Sequence, residues 1–86
     1  MPYIKEEDKK RFEKVTEELR RSPPTSPGDL NYLFSMISKY YLESRGEIRY
    51  QYLNDVLGAL NGASLEFNRR VVAPYEDLAI KKNGDI

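Results

Sequence analysis

The sequence has no cysteine, no histidine and no tryptophan. Without cysteine there is no disulfide to staple a small fold and no thiolate to act as a nucleophile. Without histidine, Ser–His–Asp and Cys–His arrangements are excluded, and a zinc site would have only carboxylates to draw on. Neither G-x-x-x-x-G-K-[ST] nor G-x-G-x-x-G occurs, so no glycine-rich phosphate loop is present. No apolar run approaches the ~18 residues of a membrane span. The charged opening MPYIKEEDKKRFEK does not read as a signal peptide. An excess of either charge is also missing, since 14 basic side chains meet 14 acidic ones. Nothing pulls the chain as a whole toward nucleic acid or an anionic membrane, and little repulsion keeps copies apart. No metal, no cofactor, no membrane association and no catalysis are expected, and the missing cysteine fits a cytoplasmic protein.

What is present is helical. The chain has 86 residues, 40% of them hydrophobic and 33% charged, which is too apolar for full disorder. One domain, 1–86, is expected. At this length only about 60–65% of the unfolded surface is buried on folding, so the margin of stability is thin. Seven tyrosines and three phenylalanines supply much of the large apolar area. Tyrosine suits half-buried seams and protein interfaces, because its ring is apolar and its hydroxyl wants a partner.

The stretch from Gly46 to Pro74, GEIRYQYLNDVLGALNGASLEFNRRVVAP, organises the rest. Leu53, Leu57, Leu60, Ser64, Phe67 and Val71 recur at steps of four and three, which predicts one long helix over about 48–73 with a buried seam along it. Gly58, Ala59, Gly62 and Ala63 form a stretch of small side chains in the same helix. Glycine inside a helix costs roughly 1 kcal/mol relative to alanine, and close approach of another helix is the natural return. Asn54, Asn61 and Asn68 repeat every seven residues beside the leucine line. They are either solvated positions flanking a core or amides that bond across a helix pair and fix its register. Leu65 lies toward that same side and widens the candidate contact surface.

Two helices precede this one. Residues 5–21, KEEDKKRFEKVTEELRR, place acids in the first turn and arginines in the last, as the helix dipole prefers. Only a narrow apolar side, Phe12, Val15 and Leu19, marks that segment. SPPTSPG at 22–28 breaks the helix. Ser26 then reads as an N-cap, Pro27 as the first helical residue and Asp29 as the acid of a capping box, opening a helix over 27–45 that Gly46 stops. Its apolar band, from Leu30 to Leu42, is broad for a lone surface helix. Pro74 should end the long helix, and Pro-Tyr-Glu-Asp reads as the start of a short fourth one over about 74–82.

The acids and bases give no catalytic constellation. Asp55 and Glu66 are the acids well inside the long helix, about 16 Å apart along its axis, which is beyond the reach of one site. Arg45, Arg49, Arg69 and Arg70 are the candidate anion contacts. The helix after Gly46 is too long and too apolar to serve only as a DNA-reading element, and Glu47 and Asp55 would oppose phosphates.

The segments MPYIKEED, SPGDLNYL, LNDVLGAL and LEFNRRVVAPYED resemble a family of small proteins of unknown function found in bacteria and their phages. The resemblance covers nearly the whole chain, with MPYI and RRVVAPYED its most specific pieces. Arg49 departs from it, standing where a capping serine is expected. It implies a cytoplasmic or phage-encoded protein and carries no activity or functional residues with it. The expected fold is therefore all-α: a small bundle of three main helices and a short C-terminal one, with the third as the spine. The expected function is that of a homo-oligomeric protein–protein interaction module, an adaptor, regulator or inhibitor, with a dimer favoured. The surface expected to carry it comprises Leu53, Asn54, Gly58, Leu60, Asn61, Gly62, Leu65, Phe67 and Asn68. The alternative is a dimeric nucleic-acid-associated regulator using the four arginines.

Overall fold

A computed structural model describes residues 3–86 of the chain, so the expected behaviour of Met1 and Pro2 lies outside the described residues. The described residues are all-α with connecting turns. They divide into two units, residues 1–44 and 45–86.

The first unit begins with α1, residues 6–21. It is built as an α-turn Glu6–Lys9, a tighter 3₁₀ turn Lys10–Phe12 and an α-helix Glu13–Arg21. Acids occupy its first turn and Arg20 and Arg21 its last. Ion pairs one turn apart join Lys9 to Glu6 at 2.9 Å and Arg21 to Glu18 at 3.3 Å. Both pairs are exposed, and each contributes a few tenths of a kcal/mol at most. The Arg11 guanidinium lies 5.2 Å from the centre of the Phe12 ring.

The next helix, α2, is Pro27–Arg45. Its start is as the sequence indicates. The Asp29 backbone N–H donates to Ser26 Oγ at 3.1 Å, and the Leu30 N–H donates to the Ser26 carbonyl at 3.1 Å. The Asp29 carboxylate reaches one residue further back than a capping box requires. It accepts the Thr25 backbone N–H at 2.8 Å and the Thr25 hydroxyl at 3.0 Å. The helix ends where Gly46 takes a φ of 89°, a conformation that costs a side-chain-bearing residue about 1–2 kcal/mol.

The second unit holds one helix, α3, over residues 50–83. It comprises Tyr50–Phe67, a widened π-turn Asn68–Val72 and Ala73–Asn83, without interruption. Arg49 occupies the N-cap and makes no side-chain cap bond. The short fourth helix expected over 74–82 is therefore corrected: those residues continue α3. The physical reason lies in the π-turn. In a regular helix the ring of Pro74 would press on the carbonyl of Arg70, and the missing N–H would leave a gap in the ladder. Here the Ala73 N–H bonds the Asn68 carbonyl, five residues back instead of four. The backbone widens just ahead of the proline, which then sits inside the helix. Gly84, with φ of 88°, closes the element after Asn83.

Neither unit buries a side chain among the described residues. The expected buried seam is corrected with it. Leu53 is 37% exposed, Leu60 40% and Phe67 60%. The periodicity gives α3 one apolar side, and the side chains along it stay in contact with water.

Candidate self-association surface

At about 100° per residue, α3 places the expected contact residues on separate faces. Leu53, Leu60 and Phe67 fall within about 40° of one another, with Leu57 and Ser64 beside them. Asn54, Asn61 and Asn68 form a second line about 100° away, and Leu65 lies just past it. Gly58 and Gly62 stand roughly 140–160° from the leucine line, nearly on the opposite side. A helix lying along the leucines does not reach the glycines. Gly58 faces open space, where an added Cβ would meet nothing within 4 Å. Gly62 is half-buried, as are Tyr52, Asp55, Val56 and Glu66 on the same general side. The leucine and asparagine lines form one continuous exposed surface, and the glycine pair is not part of it.

The acids of α3 are engaged locally. The Gln51 side-chain amide donates to the Asp55 carboxylate at 2.9 Å. The Glu66 carboxylate takes Arg69 at 2.6 Å and Arg70 at 2.8 Å, with 22% of its side chain exposed. Arg49 is likewise held by Glu47 at 2.6 Å. Arg45 closes α2 immediately before Gly46. Of the four arginines named as candidate anion contacts, three thus carry a carboxylate neighbour that offsets their charge, which weakens them as a phosphate-binding set. In the first unit, an open groove beside α1 is lined by Ile4, Phe12 and Thr16 together with Glu6, Glu13, Lys9 and Lys10. Glu6 is drawn to Lys9 there, and no pair of free carboxylates converges.

Sequence reasoning missed three participants. Arg69 joins Arg70 on Glu66, so two of the candidate anion contacts share one carboxylate. Thr25 joins Ser26 at the Asp29 carboxylate, donating both its backbone N–H and its hydroxyl. Tyr75 belongs with the α3 stripe because the helix passes through Pro74. The signal for the last was the step from Val71 to Tyr75, four residues where the alternation of fours and threes calls for three.

These features define a small, largely exposed all-α chain with large apolar side chains exposed on both α2 and α3. Among the described residues no helix is long and apolar enough to cross a membrane, and no group of three or more acidic side chains is placed to hold a metal ion. The chain belongs to DUF6899, a domain of unknown function whose family model matches residues 1–86. No curated protein and no solved structure matches it.

Proposed function

We propose that this chain is a homo-oligomeric protein–protein interaction module, with a dimer as its working form, acting by binding and not by catalysis. The observation that carries this reading is the uncovered apolar stripe on α3. Leu53, Leu57, Leu60, Phe67 and Val71 are all exposed on one side of one helix. An apolar surface of that continuity marks a protein contact. Charge does not oppose self-pairing. Residues 45–86 carry six basic side chains (Arg45, Arg49, Arg69, Arg70, Lys81, Lys82) and six acidic ones (Glu47, Asp55, Glu66, Glu76, Asp77, Asp85). The family model spans both structural units, which supports reading 1–86 as one helical domain whose halves act together.

Mass in solution tests the proposal directly. Sedimentation equilibrium across a hundredfold range of concentration should give twice the 10.1 kDa chain mass at the upper end. A mass equal to one chain throughout that range rejects the proposal.

A further inference from the structure

We propose that two copies pair through α3 in antiparallel orientation, with the two-fold axis level with residue 62 and Asn61 of each copy flanking it. This rests on the self-association reading above and adds its geometry.

The π-turn supplies the first argument. Tyr75 lies eight residues beyond Phe67, so an unbroken α-helix would set it about 80° away. The widened turn absorbs one residue and returns Tyr75 to within about 20° of Phe67. At the other end Tyr50 stands three residues before Leu53 and continues the same line. The stripe then runs from Tyr50 to Tyr75 in steps of 3, 4, 3, 4, 3, 4 and 4, and with one residue absorbed by the widened turn the last step acts as a three, so the spacing becomes symmetric end to end. Both terminal tyrosines are exposed, Tyr50 at 84% and Tyr75 at 72%.

A helix with such a pattern fits a reversed copy of itself. Leu60 then lies across from Ser64 of the second copy, and Leu57 from Phe67. Further out, Leu53 meets Val71 and Tyr50 meets Tyr75. Small faces large in the central layers, so volumes even out, as dense packing requires. In a parallel pair Ser64 would meet Ser64 and Phe67 would meet Phe67, which leaves a hollow beside a crowded layer.

The asparagines supply the second argument. In an antiparallel pair, like flank meets like flank. Asn61 comes beside Asn61 of the second copy, and Asn54 beside Asn68. A primary amide is both donor and acceptor, so each pair can satisfy itself. A parallel pair would set Asn61 against Val56 and Asn68 against Ala63, which offer no polar side chain. Opposed helix dipoles also favour the reversed arrangement.

The absence of native cysteine makes the test clean. Leu53→Cys and Val71→Cys variants are prepared separately, shown to dimerise under reducing conditions, then oxidised alone and mixed. In the antiparallel pair, two copies of either position stand about 27 Å apart, while position 53 faces position 71. Disulfide-linked dimers should therefore form in the mixture and in neither variant alone, since a disulfide needs Cα atoms within about 7 Å. As a measurement that leaves the stripe intact, Gln51→Cys carrying a spin label should report about 33 Å between labels in the dimer. Linkage of each variant with itself, or a label distance under about 20 Å, means a parallel pair and overturns the orientation while the self-association reading stands. A dimer with no linkage in any combination overturns this seam. A monomer at every concentration overturns both readings.

Discussion

The Asp29 carboxylate accepts the Thr25 backbone N–H at 2.8 Å. That bond, joined by the Thr25 hydroxyl and by Ser26, holds the Asp29 carboxyl below the usual carboxylate range. Because the folded value is depressed, its stabilising effect is present in full above the unfolded value of about 3.9. It is lost as pH falls through the lower folded one. The Thr25 amide resonance should stay constant from neutral pH to about 5, then shift with a midpoint below about 3.9. Asp29→Asn should abolish that step. A midpoint at or above the unfolded value would show that the carboxylate is not held there.

Two glycines should respond to alanine with opposite sign. Gly46 has a φ of 89°, so Gly46→Ala should destabilise the protein by about 1 kcal/mol through backbone strain alone, because nothing lies within 4 Å to clash. Gly58 sits inside α3 with open space around it. Gly58→Ala should raise helix stability by roughly 0.5–1 kcal/mol. Chemical denaturation of both variants checks this. A loss of stability or of association in Gly58→Ala would instead mean that a second helix packs closely there.

Leu60→Asp should dissociate the dimer and lower helix content together. The substitution places an uncompensated charge at the middle of the stripe, and burying such a charge costs several kcal/mol. Circular dichroism and sedimentation on one sample give both readouts. A fully helical monomer would show that α3 does not depend on a partner for its fold.

Pro74→Ala separates helix stability from pairing. Restoring the N–H and removing the ring should let the π-turn relax to a regular helix, with a gain of up to about 3 kcal/mol in α3. Tyr75 would then rotate out of line, and the dimer should dissociate more readily. Thermal unfolding and a dilution series measure the two effects. Tighter association would contradict the role given to the π-turn.

Much of the architecture was legible because its signals are local. Ser26 and Pro27 start α2 by capping chemistry, Gly46 ends it by a φ that glycine tolerates, and the spacing of Leu53, Leu57 and Leu60 marks α3. Pro74 misled for the same reason. Pro-Tyr-Glu-Asp carries the features of a helix start, and local preference alone cannot show that a widened turn one step earlier lets the helix continue. The candidate surface was half legible. Periodicity shows which residues share a side, so the leucine and asparagine lines follow from spacing. It does not show what covers that side, and Gly58 and Gly62, expected in the same surface, stand nearly opposite the leucine line on α3.

The side-chain bonds described here, such as Lys9 to Glu6, Asp29 to Thr25 and Arg70 to Glu66, link residues no more than four apart. Bonds of that reach need no distant part of the chain, so each can close as soon as its own turn has left the ribosome. The leucine stripe has no such local completion: under the self-association proposed above, it is finished only when a second polypeptide arrives.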